Sequence, residues 1–475
     1  MKRRAVLILG PALFLAALLT PAPGGLTDAA WHVAGLAAWM ALWWLTAIIP
    51  LEATALLPIV VLPLAGVVPL SGVTRSYADP IIFLFLGGFL LAATLERWNL
   101  HRRFALATVR LVGTDARRVV LAFMLASAFA SMWISNTATA IMMLPIAIAV
   151  IGGSRGANPT HGGFPTALML GVAYAASVGG IATLIGTPPN AILAGAAREL
   201  LGEDLGFARW MAFALPISAF MLVGCWVLLI TMFKVRGRVP GLEDTLERER
   251  DAMGPLSGGE RFVLAVFALT ALSWVLRAPK TVGGVRIPGL SDLLPGISDP
   301  AIAIAAALVL FVVPLRGSKH RVALDWESAR KVPWGILLLF GGGLALAGAF
   351  GSSGLSEWVG GLLVSLRGVP MPLVVMATAG IFVFLTELTS NTASSALGMP
   401  LIVGVAVGLD LPALPLMATV AVASSMAFML PVATPPNAIV FGSGWIRPSD
   451  MARAGIGLNI LAIVVTTIAV TIWSL

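Results

Sequence analysis

Long apolar blocks alternate with short polar or charged connections along the whole chain. An apolar run to Leu19 follows Lys2-Arg3-Arg4, and blocks at about 31–49, 51–68 and 80–97 come next. Further blocks lie near 164–185, 207–233, 260–277, 299–315, 333–350, 412–431 and 451–473. The runs are continuous, without the alternation of barrel strands, and one helical crossing of a bilayer needs about 20 apolar residues. The pattern predicts an all-α polytopic membrane protein. Its start reads as a retained first helix, because Pro21-Ala22-Pro23-Gly24 is a poor signal cleavage site.

Other segments break the pattern. The stretch 100–113 mixes Arg102, Arg103 and Arg110 with apolar residues at helical spacing, and predicts a helix lying in the interface. Two arms, 117–134 and 138–152, flank Ser135-Asn136-Thr137, and two more, 371–387 and 393–409, flank Ser390-Asn391-Thr392. Each arm is short for a full crossing. A weakly amphipathic piece covers 354–366, and Lys234 to Glu260, charged and without an apolar run, reads as a solvated connector.

Composition narrows the class. With 475 residues, 59% hydrophobic and 11% charged, the chain has too few polar side chains to cover a water-soluble fold of this size. The net charge of +8 sits in short loops, where it reads as orientation by the positive-inside rule rather than as a nucleic-acid surface. The single Cys225 excludes an internal disulfide.

The halves repeat. Phe85, Gly87, Gly88 and Leu91 recur as Phe340, Gly342, Gly343 and Leu346 at an offset of 255. The same offset carries Ser135-Asn136-Thr137-Ala138 onto Ser390-Asn391-Thr392-Ala393, and Pro145 onto Pro400. Thr-Pro-Pro-Asn-Ala-Ile stands at Thr187–Ile192 and again at Thr434–Ile439. Two motifs in the same order establish an internal duplication. It divides the chain into 1–233, with a hairpin at about 117–152 and a broken helix at about 164–200, a cytoplasmic connector over 234–259, and 260–475, with a hairpin at about 371–409 and a broken helix at about 412–445.

Charge orients the repeat. With the N-terminus cytoplasmic and each hairpin returning to its own side, 23 of the 30 basic residues gather on the cytoplasmic side, among them the Arg97–Arg118 cluster, Arg155, the Lys234–Arg261 group and the Arg316–Lys331 group. Arg75, Arg198, Arg209, Arg277, Lys280, Arg286 and Arg367 face outward. Treating either hairpin as a full crossing spoils this asymmetry. The expected architecture is therefore about eleven transmembrane helices in two inverted repeats, each with a re-entrant hairpin and a broken helix, and with the C-terminus outside.

Interrupted helices in inverted repeats point to a transporter site at the midplane, since non-helical backbone survives there only inside protein or beside a watery cavity. Proline disfavours helix in the residue before it and starts a helix well. Thr187-Pro188-Pro189-Asn190 and Thr434-Pro435-Pro436-Asn437 should thus break a span and restart it, leaving carbonyls free on one side and N–H groups on the other. Alone, such a motif is a loop or kink; duplicated beside a second duplicated motif, it is a site. The Ser-Asn-Thr tips offer hydroxyl and amide oxygens suited to a small hard cation, and the N-terminus of the returning helix suits an anion. One turn before each tip stand Ser131 and Thr386. Such hydroxyls are usually bonded back to their own helix, but their matched placement points to ligands.

These paired motifs, with the run from Ser424-Ser425-Met426-Ala427-Phe428 through Leu430-Pro431-Val432-Ala433 to Ile439-Val440, resemble the divalent anion/sodium symporter family over nearly the whole chain. The resemblance implies eleven spans, two re-entrant hairpins, a homodimer in a bacterial inner (plasma) membrane, and an elevator movement of a transport domain against a scaffold. It implies sodium-coupled uptake of di- or tricarboxylates such as C4-dicarboxylates, or sulfate in some branches, with no organic cofactor and no enzymatic activity. One sodium site would use Ser131, Ser135, Asn136 and the Gly186 carbonyl; its twin would use Thr386, Ser390, Asn391 and the Ala433 carbonyl. The substrate would meet Ser135, Asn136, Thr137, Thr187, Ser390, Asn391, Thr392 and Thr434.

No Lys or Arg lies near either tip, so a dianion's charge would fall to bound cations and helix N-termini; a fixed cation would be costly in the empty site. Glu387 neighbours Thr386 but points about 100° away on a helix, which favours a structural role over sodium tuning or proton coupling. Glu96 and Arg97 read as interfacial, and His32, His101, His161 and His320 lack metal-ligand spacing. Gly341-Gly342-Gly343 reads as close helix packing. The rival readings are a sodium-independent exchanger of the same fold, a sulfate or tricarboxylate symporter, an anion channel and a membrane-embedded hydrolase. The last needs a nucleophile–base pair or a metal cluster that the sequence does not offer.

Overall fold

The structure, a computed structural model, describes residues 2–110, 113–153, 163–282, 285–315 and 321–473. Arg155, His161, Arg316, Lys319 and His320 lie outside the described residues. The first half holds α1 (Lys2–Leu19), α2 (Asp28–Thr46), α3 (Leu51–Thr54), α4 (Leu57–Leu64), α5 (Leu70–Ser76), α6 (Pro80–Arg97), α7 (Leu100–Arg110), α8 (Ala116–Ser131), α9 (Asn136–Gly153), α10 (Gly163–Gly180), α11 (Pro188–Leu201) and α12 (Phe207–Met232). After α13 (Leu242–Met253) come α14 (Gly258–Leu276), the hairpin strands β1 (Lys280–Val282) and β2 (Val285–Ile287), α15 (Leu290–Leu293), α16 (Asp299–Val312), α17 (Trp326–Ala329) and α18 (Trp334–Ser353). The chain ends with α19 (Leu355–Gly361), α20 (Met371–Leu388), α21 (Asn391–Leu409), α22 (Ala413–Ser424), α23 (Pro435–Phe441) and α24 (Pro448–Trp473).

The polar connections start helices by capping them. Side chains of Thr27, Asp79, Asp115, Ser298 and Asp325 accept from the first-turn N–H groups of α2, α6, α8, α16 and α17. Ser257 and Glu260 form a capping box on α14. Eight helices among the described residues are long and apolar enough to cross a membrane, counting Leu70–Arg97 as one.

Two separate charge networks mark the ends of the bundle. One joins Arg97 to Asp325 at 2.6 Å, Arg103 to Glu260 at 2.5 Å, and Arg102 to Glu249. The Ser328 N–H and hydroxyl, together with Arg97, hold the Asp325 carboxyl down to about 2, so that bridge stays charged across the ordinary pH range. The other joins Arg277 to Asp299 at 2.6 Å, Arg198 to Asp204 at 3.2 Å and Arg209 to Glu203 at 3.3 Å. Helix α6 reaches the first network through Arg97 and the second through its N-cap Asp79, 3.7 Å from Arg198; α14 does so through Glu260 and Arg277; α12 begins against Asp299, which accepts the Phe207 N–H. The networks therefore lie at opposite ends, with Arg97, Arg102 and Arg103 at one and Arg198, Arg209 and Arg277 at the other.

Three expectations change. The block 51–68 is no single span: it folds as α3 and α4, with Pro58 at the start of the second piece and Pro63 inside it. The 234–260 connector is not simply solvated chain. Its charged residues form α13, and Arg103 of α7 donates to the Met253 and Gly254 carbonyls at that helix's end. The arms α20 and α21, at 18 and 19 residues, are long enough by themselves to cross.

Close packing depends on missing side chains. A Cβ on Gly342 would lie 2.2 Å from the Ala55 carbonyl oxygen, and one on Gly341 2.2 Å from the Tyr77 ring, as the triple-glycine reading expects. A Cβ on Gly179 of α10 would lie 2.2 Å from the Ala128 oxygen of α8, a main-chain atom that cannot move aside alone. Gly179→Val is therefore expected to destabilise the protein by about 1–3 kcal/mol, read as a lowered thermal midpoint in detergent. Gly24→Val, where a Cβ meets nothing within 4 Å, should leave the midpoint unchanged.

Candidate functional site

The two hairpin tips and the two helix breaks meet at one cavity of about 460 Å³, a size that suits a small ligand. All eight residues expected to touch substrate line it: Ser135, Asn136 and Thr137, Thr187, Ser390, Asn391 and Thr392, and Thr434. Gly186 and Ala433, whose carbonyls were expected at the cation sites, line it too. The rest of the lining includes an apolar group from other elements, Trp44, Leu45, Leu51, Phe89 and Ile336. No charged side chain faces the cavity among the described residues.

The tips arise from the ends of helices. Helix α8 stops at Ser131, and α9 restarts at Asn136 with the Ser135 hydroxyl accepting the Ala138 N–H. Helix α20 runs to Leu388, and α21 restarts at Asn391 without a side-chain cap from Ser390, whose hydroxyl is left for other partners. Ser131 and Thr386 lie behind the tips, fully buried. The Ser131 hydroxyl donates to Asn136 Oδ1 at 2.6 Å; Thr386 Oγ1 lies 2.6 Å from Asn391 Oδ1 and 2.8 Å from the Ser424 carbonyl oxygen. Neither is bonded back to its own helix, so each reaches the tip amide of its half.

The breaks are equally paired. Helix α10 ends at Gly180 and α11 begins at Pro188; α22 ends at Ser424 and α23 begins at Pro435. Thr187 and Thr434 have extended backbones just before the prolines, as the proline rule demands. Asn190 Nδ2 donates back to the carbonyls of Thr183, at 2.7 Å, and Gly180, at 3.3 Å. Asn437 Nδ2 donates to those of Leu430, at 3.1 Å, and Ala427, at 3.2 Å, the same seven- and ten-residue steps. These two asparagines stand in the duplicated motif, yet sequence reasoning used them only as part of the break.

Glu387 proves structural, and more so than its position suggested. Its carboxylate, buried, accepts the N–H groups of Phe428, Met429 and Leu430 at 2.7, 2.9 and 3.1 Å, and Asn459 Nδ2 at 2.9 Å. It clamps the second break, whereas at the equivalent position in the first half the main chain of Met132 accepts the Thr183 hydroxyl at 2.5 Å. The apolar wall had no sequence signal, because its members come from α2, α3, α6 and α18, far apart in the chain.

Glu387→Leu would strand three main-chain donors in the interior. A loss on the order of 3 kcal/mol is expected, seen as a lower thermal midpoint both with and without added substrate. An unchanged midpoint would remove the clamp.

The family described as "Sodium:sulfate symporter transmembrane region" matches residues 2–475. A sodium-dependent dicarboxylate transporter, SdcS, of Staphylococcus saprophyticus is 40% identical over 98% of this chain and 90% of its own length. One of Staphylococcus aureus is 39% identical over the same shares. The crystal structure of the Alcanivorax borkumensis YdaH transporter, of unusual topology, superposes with a TM-score of 0.56 at 15% identity, covering 85% of this chain and 86% of that one, a likeness of fold alone.

Proposed function

The chain belongs to the sodium:sulfate symporter family, and we propose that it couples sodium to the movement of small dicarboxylates across a membrane. It is a transporter, not an enzyme. One observation carries the coupling of an anion to a cation: an uncharged cavity lined by two Ser-Asn-Thr tips and two Thr-Pro helix starts. Hydroxyls, amides and N-terminal N–H groups can receive carboxylate oxygens. They cannot neutralise a dianion, and dehydrating one without countercharge is prohibitive. Sodium supplies that charge.

The donors fit sodium. Ser131, Ser135, Asn136 and the Gly186 carbonyl offer neutral oxygens in the first half, as do Thr386, Ser390, Asn391 and the Ala433 carbonyl in the second. Substrate carboxylates bind to Ser135, Asn136 and Thr137, to Ser390, Asn391 and Thr392, and to Thr187 and Thr434. The same neutral donors would accept sulfate or a tricarboxylate; the names of the relatives favour dicarboxylates.

Several features support inverted repeats of about eleven crossings with re-entrant hairpins. Helix α9 packs against α7 and α13, next to the start of α8. Arg367, just before α20, donates to the Gly408 carbonyl near the end of α21 at 3.0 Å, so that hairpin also closes on itself. A polar face of tips and breaks set against an apolar wall suits an elevator movement, because such a wall offers no fixed partner and can slide. By the positive-inside rule the network of Arg97, Arg102 and Arg103 is cytoplasmic, in a plasma membrane, and the protein acts as a homodimer.

Asn136→Ala and Asn391→Ala are each expected to lower sodium-driven succinate uptake into proteoliposomes at least about tenfold. Near-parental uptake in both would remove the site assignment. Succinate affinity should rise steeply with sodium, and sodium affinity with succinate by the same factor. Equal succinate binding in sodium and in choline, measured by calorimetry, would instead favour a sodium-independent exchanger. For sidedness, a cysteine at Glu243 should be silent to an impermeant thiol reagent outside intact cells and react once they are opened. The native Cys225 is fully buried and adds little background.

A further inference from the structure

The asparagines of the two Thr-Pro-Pro-Asn motifs carry an oxygen with no protein partner. Asn190 Nδ2 faces the carbonyls of Gly180, Ile181 and Thr183 at 3.3, 3.1 and 2.7 Å. An amide oxygen there would meet only acceptors, so the hydrogen-bond network fixes which way the amide points. Its Oδ1 is then turned elsewhere, in a side chain of zero exposure, and finds no hydrogen-bond partner. Asn437 repeats the arrangement: Nδ2 holds the Leu430 and Ala427 carbonyls, and Oδ1 is buried and unpaired. A buried acceptor left without a donor costs about 1–3 kcal/mol. Finding that cost at matching positions of both halves argues against an accident of one loop.

Both asparagines hold carbonyls of a break that touches a tip. In the first half, a Cβ on Gly180 would sit 2.5 Å from Asn136 Oδ1, and one on Gly186 2.4 Å from the Gly180 oxygen, the atom that Asn190 also reaches. Asn136, Gly180, Gly186 and Asn190 thus converge. In the second, Thr386 links Asn391 to the Ser424 carbonyl at the end of α22, three residues before Ala427, whose carbonyl Asn437 holds. A hard cation takes oxygen acceptors and no donors, which is what these amides leave open.

Resting on the sodium-coupled reading, we propose that Asn190 and Asn437 are cation ligands, each Oδ1 being the deep oxygen of the sodium site in its half. The same side chain then serves twice: Nδ2 fixes the loose carbonyls of the break, and Oδ1 meets the ion. Substrate stays on the cavity side, in contact with the tip residues.

The test uses the purified full chain without substrate. Its thermal midpoint is titrated with sodium chloride against choline chloride at constant ionic strength. Asn190→Ala and Asn437→Ala are each expected to raise the sodium concentration for half-maximal stabilisation at least about tenfold. Asn190→Asp and Asn437→Asp keep an oxygen for the ion; while protonated, their hydroxyl can still donate to the break carbonyls, and ionisation, which adds charge beside the ion but removes that donor, should make the sodium requirement depend on pH where the parent's does not. A residue that only latches the break would lower the midpoint in choline and leave the sodium requirement alone. A requirement within about twofold of the parent in both alanine variants, well under the usual cost of a lost metal contact, overturns the proposal and gives Oδ1 to a water. If the alanine variants do not fold, the aspartate variants decide: a sodium requirement unchanged across the pH range in which a carboxyl titrates overturns it equally. Ser131→Ala and Thr386→Ala run alongside. No shift in those two would overturn the sodium-site reading itself, which is a separate failure.

Discussion

Main-chain N–H and C=O groups that leave a helix in a protein's interior must find partners there, and this chain does so at the paired breaks, 181–187 and 425–434. The rest of the architecture answers that demand. Asn190 and Asn437 take up carbonyls, Glu387 takes up three N–H groups of the second break, and Trp210 donates to the Ile181 carbonyl at 2.9 Å. What these partners leave open faces the cavity: the N-termini of α11 and α23 behind Thr187 and Thr434, and the tip oxygens opposite. A ligand site appears where the breaks are almost, but not wholly, satisfied.

Countercharge follows from the same economy. A permanent Lys or Arg in the cavity would need a partner whenever substrate left, and none lines it. Neutral oxygens tolerate the empty state and are of the kind that hard cations take as ligands. Sodium and dianion then make each other's binding favourable, which is the coupling a symporter requires. The one acid near the tips does not compete for this role. Glu387 is occupied by Phe428, Met429, Leu430 and Asn459, and it holds the break.

The halves are similar without being identical. Ser131 and Thr386 make the same hydrogen bond to the tip asparagine at the same 2.6 Å, and Asn190 and Asn437 make the same backward steps. Around them the supports differ, a main-chain carbonyl at Met132 against a carboxylate at Glu387. The ligand-facing atoms are held constant while the second-half break, three residues longer, takes a stronger clamp. That difference has a direct physical cause: more unpaired N–H groups need more acceptors.

Much of this was legible in the chain. Hydropathy gave the membrane class, duplication gave the paired tips and breaks, and the rule that proline disfavours helix before it placed Thr187 and Thr434 at the restarts. All eight expected substrate residues line one cavity because their chemistry and spacing are local properties, and the two copies report on each other. Three features depended on distant chain segments and left no local mark: the apolar wall from α2, α3, α6 and α18, the docking of α13 under Arg103, and the grip of Glu387 on residues more than forty positions away. Sequence could say that Glu387 pointed away from the tip, but not at what. Periodicity and motif are written within a few turns of a helix, so the sequence by itself determined which polar groups line the cavity. Which groups satisfy those motifs, and which apolar residues complete the cavity around them, is a matter of contact between elements, and only the tertiary structure decided it.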